Sequence, residues 1–459
     1  MHKLSELKAG EYRTAGLKML KLTEPLDQFP VEILDLGDSL EVLDLSGTGL
    51  AALPVEIGSR LPKLRIAFFS NCSFAEFPKE LASCPSLEIV AFRSNDMTSI
   101  PEGALPPQLR WLILTDNQLE SLPASIGRCS QLQKCMLAGN QLQSLPDEMA
   151  NCQKLGLLRL SSNCFEQLPE WLFDMPELAF LSFAGNPCST GQPASVTGNA
   201  HSHAELCKVK WARLDIQDTL GEGASGVISR ATRRFSSGAE DEQVAVKLFR
   251  GALTSDGSPI DEMRACIAAG SHKNLIGVLG NVDEHPDEAV NGFQGGLVMR
   301  LIPPHYQVLG RPPSFETCTR DTFVPGAALS VAAAIEILEA LASAAEHLHA
   351  RGIAHGDLYA HNILTCEGSP TLLGDFGAAT VYGLDAPFAQ RLEKLEVLAF
   401  SHLVEDVLGL IASGSSPSDG GNVTTPKLKL LHAACSNRRV QERPSFAKIH
   451  QDILDLMHP

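Results

Sequence analysis

The 459-residue chain contains no run of eighteen apolar residues, so no segment has the length and character of a membrane-spanning helix. None of its twelve cysteines stands in a CxxC pair, and eight are scattered between positions 72 and 207, a spacing that gives a zinc site no support. Runs of Lys or Arg are missing as well. With 37 basic against 54 acidic residues, the formal net charge of −17 disfavours nonspecific binding to nucleic acid or to an anionic membrane surface. The opening MHKLSELKAGEYR has neither the apolar centre of a signal segment nor a clear amphipathic pattern. These absences predict a cytoplasmic protein with reduced thiols, and neither nucleic acid nor membrane as partner.

What is present is 44% apolar content, ample for two hydrophobic cores. The front half repeats itself. Aligning LEVLDLSGTGLAALP (40–54), LEIVAFRSNDMTSIP (87–101), LRWLILTDNQLESLP (109–123), LQKCMLAGNQLQSLP (132–146) and LGLLRLSSNCFEQLP (155–169) gives a period of 22 to 24 residues. Weaker copies begin at Leu17, Leu64 and Leu178, making about eight. The pattern LxxLxLxxN is that of a leucine-rich-repeat solenoid, in which no single repeat buries enough surface to stand alone. Its leucines are predicted to point inward, and Asn95, Asn117, Asn140, Asn163 and Asn186 to satisfy backbone groups along the stack. A proline closes each motif as the chain turns onto the other side. The intervening strand positions, with Val42, Ile66, Ile89, Trp111 and Phe180 in one column and Phe68, Ala91, Ile113 and Met136 in the next, predict an exposed apolar band. Such a band on the concave face would dock a protein substrate or regulator, with Phe68, Trp111, Ile113 and Met136 as contacts, or pack on the chain's own second half.

The second half carries chemistry. In HGDLYAHN (355–362) and GDFGA (374–378), Asp357 is spaced to take a hydroxyl proton, while Asn362 and Asp375 offer hard oxygen ligands for the Mg²⁺ that accompanies a nucleotide's phosphates. Upstream, LGEGASGVISRA (220–231) places Gly221, Gly223 and Gly226 between two β-like stretches, with Val227 opening the second. Glycines there let the backbone approach phosphates closely. VAVK (244–247) ends an alternating strand on Lys247, whose ammonium suits the α- and β-phosphates. Fifteen positions further on, Glu262 in PIDEMRACIAAG is the candidate ion-pair partner for that lysine, with Asp261 as competitor. Any one of these runs alone is weak evidence; their order makes chance a poor explanation.

With HKNLIG (272–277), GGLVMRLIPP (295–304) and RPSF (443–446) added, the stretch 211–459 resembles the eukaryotic-type protein kinases. The resemblance implies a two-lobed α+β domain with ATP in the cleft. It makes Leu220 and Val227 part of the cover over adenine, Ala245 and Leu364 the apolar surfaces on either side of the ring, Met299 the gatekeeper and Leu301 the hinge residue. VAAAIEILEALASAAEHLHA (331–350) is similar to the family's long helix leading into the catalytic loop, and Glu396 matches the usual Asp of its buried helix. Three departures stand out. Gly356 replaces the Arg that normally holds a phosphorylated activation loop, which argues against switching by loop phosphorylation. Tyr359 stands where Ser/Thr kinases commonly carry Lys. Only twenty residues separate Asp375 from Glu396, and Phe388 follows Ala386-Pro387 where a Glu would pair with Arg443, so a peptide platform is poorly provided.

The expected fold class is therefore multidomain α/β. Residues 1–190 form a leucine-rich-repeat solenoid, 191–210 a linker rich in small and polar residues, and 211–459 a two-lobed protein-kinase-like domain. A second loop is expected over SGSSPSDGGNVTTP (413–426). The expected activity is ATP- and Mg²⁺-dependent phosphorylation of protein Ser/Thr, by Asp357, Lys247 and Glu262. HGDL followed by Asn also resembles small-molecule phosphotransferases of the aminoglycoside-kinase type, and a pseudokinase scaffold is the third reading.

Overall fold

The computed structural model describes residues 2–13, 16–189, 207–235, 240–286, 293–414 and 424–457. It divides into two compact units, Met1–Leu178 and Ala179–Pro459.

In the first unit, helix α1 (Leu4–Lys8) precedes seven strands of three residues each: β1 (Met19–Lys21), β2 (Val42–Asp44), β3 (Ile66–Phe68), β4 (Ile89–Ala91), β5 (Trp111–Ile113), β6 (Lys134–Met136) and β7 (Leu157–Arg159). Each pairs in parallel with the next, with Met19, Val42, Ile66, Ile89, Trp111, Lys134 and Leu157 in register. The middle residue of every strand, from Leu20 through Leu43, Ala67, Val90, Leu112 and Cys135 to Leu158, is fully buried. Helix α2 (Ile57–Arg60) and 3₁₀ turns return the chain between strands. Five of those turns, at Val31–Leu36, Lys79–Ser83, Ala124–Arg128, Asp147–Asn151 and Glu170–Asp174, follow a proline whose φ lies between −69° and −65°. Proline's locked φ suits the start of a helical turn, and its missing N–H is one that turn would leave unpaired.

The asparagines stitch one repeat to the next. Asn140 donates from Nδ2 to the carbonyls of Leu114 and Leu137, and its Oδ1 accepts the backbone N–H of Leu119. Asn95, Asn117 and Asn163 repeat this arrangement: each donates to carbonyls of the preceding turn and accepts one N–H. Every such amide answers backbone groups that water cannot reach.

The apolar columns expected to face solvent do not form an exposed band. Ile66, Ile89, Ala91, Trp111 and Met136 are each less than a tenth exposed, and only Val42, Phe68 and Ile113 among those of this unit are half-buried. Strands about 4.8 Å apart shield their ladder neighbours. Lys134 adds to this cover, its Nζ lying 4.7 Å from the centre of the Trp111 ring.

The second unit begins with β8 (Phe180–Ser182), so the contacts divide the chain near 178 rather than at 190. Most of the expected linker, and most of the loop expected at 413–426, lie outside the described residues. The linker's last three positions instead form β9 (Lys208–Lys210), which pairs in parallel with β13 (Val278–Asp283). With β10 (Leu214–Gly223), β11 (Gly226–Arg233), β12 (Glu242–Arg250) and β14 (Phe293–Arg300) they make a six-stranded sheet in the order β10-β11-β12-β14-β13-β9. Helix α3 (Pro259–Ala269) packs on this sheet. It starts where Ser258 caps the N–H of Ile260 and proline occupies the first position, and it ends at Gly270, whose φ of 67° a side chain would strain.

Helices dominate the remainder: α4 (Val331–Ala350), α5 (Ala389–Gly414), α6 (Thr424–Cys435) and α7 (Phe446–Met457). Helix α4 is capped by Ser330 and buries Ala334, Ala340, Ala342, Ala344 and Ala345, small side chains that admit close neighbours. Helix α7 offers Phe446, Ile449 and Ile453, spaced one and two turns apart on one face. Between these helices lie β15 (Gln307–Val308), β17 (Ile363–Thr365) and β18 (Leu372–Leu373) in one ribbon, and β16 (Ile353–Ala354) with β19 (Thr380–Val381) in another.

Asn140→Ala is expected to leave the Leu119 N–H unanswered and to take one of two amide donors from the carbonyls of Leu114 and Leu137, which Asn117 and Asn163 still reach. It should lower the stability of the first unit by about 2 kcal/mol, the usual cost of a buried group left unpaired. A urea titration of the full chain checks this, and an unmoved first-unit transition would contradict it.

Candidate active site

β10 and β11 meet at the glycine-rich turn. A Cβ on Gly226 would fall 2.0 Å from the carbonyl oxygen of Leu248 in β12, so only glycine permits that approach. Added Cβ atoms at Gly221 or Gly223 would meet nothing within 4 Å, which leaves this part of the turn open for a ligand. Leu220 is exposed on β10, and Val227 is half-buried in register with Leu248.

In β12, Ala245 and Lys247 are two residues apart and so share one face of the sheet. Ala245 lies in register with Met299, and Lys247 with Ile228 on one side and Leu297 on the other. The Lys247 ammonium forms an ion pair with Glu262 of α3, which is 3% exposed. Asp261 turns instead to Arg264, 3.1 Å away, settling which carboxylate pairs with the lysine. Burial pushes the Glu262 carboxyl up and the Lys247 charge opposes it. The pair borders a cavity of about 170 Å³ whose walls include Cys266, Met299, Asp375 and Phe376. Lys247 and Asp375, 128 positions apart in the chain, therefore line one space.

Beyond it, a second constellation is built on the loop after β16. Asn362 donates from Nδ2 to the Asp357 carboxylate at 2.8 Å and to its carbonyl at 3.0 Å. The backbone of Tyr359 donates to the Asp357 carbonyl and accepts from the N–H of Asn362. Gly374 donates its N–H to the Asn362 carbonyl, and its own carbonyl oxygen lies 2.9 Å from His355 Nε2. Asp375, next along, adopts φ 52°, an uncommon conformation for a non-glycine residue, and its Oδ1 accepts the N–H of Gly377. The two acidic motifs are thus one hydrogen-bonded assembly.

Beneath that assembly sits Glu396, 4% exposed. Its carboxylate accepts the N–H groups of His355 and Gly356 at 3.2 and 2.6 Å and lies 2.7 Å from His349 Nε2. Burial alone would raise this carboxyl, but the His349 contact, the His355 charge and the Gly356 N–H hold it below the ordinary glutamate value. Gly356 takes φ 72°, and a Cβ there would lie 2.5 Å from the Ala378 carbonyl oxygen, so the glycine is a steric requirement.

Of the remaining sequence candidates, Leu301 follows directly on β14 and Leu364 lies in β17, in register with Val308 and Leu372; both are half-buried. Arg443 is buried and donates to the carbonyls of Asn437 and Lys394. Sequence reasoning missed Cys266 and Phe376 as cavity walls. Cys266 stands one helical turn from Glu262, the spacing that puts two side chains on one face and the signal that was available. It also missed the hydrogen-bonded pair of His361 and Asp321, 2.8 Å apart and linked by no motif.

Comparison with known proteins agrees with this geometry. Residues 214–395 match the family described as protein tyrosine and serine/threonine kinase. The chain is 28% identical over 286 residues to fibroblast growth factor receptor 1 of Pleurodeles waltl, covering 52% of this chain and 34% of the receptor. It is 31% identical over 192 residues to the serine/threonine-protein kinase PkaA of Streptomyces coelicolor, covering 38% of this chain and 31% of that one. It is 27% identical over 226 residues to the serine/threonine-protein kinase mos of Gallus gallus, covering 47% and 57%. The chain spans about a third of the length of the first relatives it matches. Residues 214–395 form a protein kinase domain, of the class that transfers phosphate from ATP.

Glu396→Ala should destabilise the second unit by about 3–5 kcal/mol, the usual cost of removing one member of a buried charged network. Because folding lowers this carboxyl from 4.5, its contribution is fully present above that pH and fades as pH falls through the folded value. Denaturant midpoints recorded from pH 7 down to pH 3 check both statements; equal acid sensitivity in wild type and Glu396→Gln would contradict the second.

Proposed function

We propose that this chain is an ATP-dependent protein kinase acting on Ser or Thr, with Asp357 as the proton-accepting base. The observation that carries the proposal is the convergence of the Lys247–Glu262 pair and Asp375 on one cavity, with Asp375 tied through Gly374 and Asn362 to Asp357. Lys247 supplies positive charge for the α- and β-phosphates, and Glu262 holds the ammonium in place. The open positions at Gly221 and Gly223 let main-chain N–H groups approach the phosphates. Leu220, Val227, Ala245, Met299, Leu301 and Leu364 provide the surfaces and main-chain groups for adenine. Asp357 orients the acceptor hydroxyl and takes its proton, so catalysis here is positioning plus charge neutralisation.

The donors suit Mg²⁺. Asn362 commits its Nδ2 to Asp357 and presents its amide oxygen, while Asp375 offers the carboxylate oxygen beyond the one that accepts from Gly377. Bound there, the metal would neutralise charge developing on the phosphates.

Ser/Thr as acceptor is supported by the relatives described as serine/threonine kinases. The short stretch 376–388 between Asp375 and α5 is the feature that favours a small-molecule acceptor, and the same assay separates the two. For the first unit we take the leucine-rich-repeat reading, supported by the 22-to-24-residue period, the parallel register and the asparagine ladder. Its proposed role is docking a substrate or regulator around Phe68 and Ile113, with Trp111 and Met136 beneath. Twelve free cysteines, six of them buried, support placement in the reducing cytoplasm.

Purified full-length chain incubated with γ-labelled ATP is expected to place label on protein Ser/Thr. Lys247→Ala and Asp357→Asn should each cut transfer by about a hundredfold or more. Label recovered in small molecules would turn the reading to a small-molecule phosphotransferase, and full transfer by both variants would refute it. Ile113→Arg is expected to weaken capture of phosphorylated partners by about tenfold with ATP turnover unchanged; undiminished capture would remove the docking role.

A further inference from the structure

The residue two places after Asp357 is buried, and another part of the second unit covers it. The ring of Tyr359, 5% exposed, stacks on the ring of Phe180 at 3.9 Å between centroids with 10° between planes. Phe180 is itself 1% exposed and belongs to β8, well before the kinase match begins at residue 214. On its other side, Tyr359 lies 5.0 Å from the His361 ring at 29°. β8 and the residue that follows it hold two further points of the site. Phe183 donates its N–H to the Thr380 hydroxyl at 3.0 Å, at the end of the segment that starts with Asp375, and its ring meets Phe388 edge-on at 5.5 Å. A Cβ at Gly356 would lie 3.1 Å from the Leu181 carbonyl oxygen, so β8 packs against the backbone next to Asp357 as well.

What makes Tyr359 important is its backbone. Its N–H bonds the Asp357 carbonyl and its carbonyl accepts the Asn362 N–H, so this one residue joins the base to the candidate metal ligand. A side chain that fixes the Tyr359 ring also fixes the geometry between those two. Stacked flat rings resist both tilt and slide, which a flexible aliphatic contact does not.

We propose that Phe180 is a positioning residue for phosphoryl transfer: stacked on Tyr359, it holds the Asp357 and Asn362 backbone in register, with Phe183 fixing Thr380 beside it. β8 is thus a built-in part of the active-site support rather than only the end of the repeat array. This rests on the kinase reading above, and it adds a residue that lies outside the matched domain.

The test compares full-length wild type, Phe180→Ala and Phe180→Tyr. Phe180→Ala is expected to lower kcat by about tenfold to a hundredfold, the scale of a small misplacement of catalytic groups. The ATP KM and the affinity for a fluorescent ATP analogue should stay within about twofold. Phe180→Tyr, which keeps a flat ring, should recover most of the lost kcat. Wild-type kcat in Phe180→Ala, no recovery in Phe180→Tyr, or a parallel fall in nucleotide affinity and unfolding midpoint would each overturn the proposal. If Phe180→Ala does not fold, Phe180→Leu keeps apolar volume without the flat ring and is judged by the same kcat criterion. If wild type binds ATP but transfers no label, the kinase reading fails on its own. Hydrogen exchange then decides the positioning claim: faster exchange at the Tyr359 and Asn362 amides in the variant supports it, and unchanged exchange overturns it.

Discussion

A carboxylate sealed inside the second unit is the constraint on which the site depends. Glu396 reaches up from α5 to the N–H groups of His355 and Gly356 and to the His349 ring, so the turn that carries Asp357 is fastened to a long helix rather than left as a surface loop. A buried charge is tolerated only when its hydrogen bonds are made, and here two of the donors are the N–H groups of the turn that leads into Asp357. Stability and site geometry are therefore the same contacts. The left-handed backbone of Gly356 is what lets two consecutive N–H groups converge on that carboxylate.

From this anchor the site extends in two directions. Through Asn362 and Gly374 it reaches Asp375, and through the cavity walls it reaches Lys247 and the Glu262 that holds it. Through Tyr359 it reaches β8. The first direction consists of hydrogen bonds and charge among motif residues; the second consists of aromatic packing between Tyr359 of the HGDLYAHN run and Phe180, which lies outside the kinase-like stretch. Arg443 donates to the Lys394 carbonyl, and Phe180 of β8 stacks on Tyr359, beside a segment after Asp375 that is short.

Much of this was legible from residues alone, for reasons that differ by element. The repeat array announces itself because each three-residue strand needs an inward middle side chain and an asparagine at one offset, and both recur in the sequence. The Lys247–Glu262 pair was legible because fifteen positions of strand, turn and capped helix limit the acidic residues that can face the lysine to two. Burial of the repeat face was not legible: period assigns Trp111 and Met136 to the solvent side of a strand but says nothing of what covers them. Phe180 sits in a column for which the sequence leaves two roles open, docking a partner or packing on the chain's own second half, and its ring takes the second, on Tyr359, 179 positions away.

In the proposed function, one lysine, one asparagine and two aspartates serve a single nucleotide. The most direct measurement is a crystal structure of the full chain with a non-hydrolysable ATP analogue and Mg²⁺. The account predicts Lys247 Nζ within hydrogen-bonding distance of the α- or β-phosphate oxygens, Asn362 and Asp375 on the metal, and Asp357 facing the γ-phosphate. A nucleotide bound elsewhere, or one that Lys247 and Asp375 cannot both reach, would contradict it.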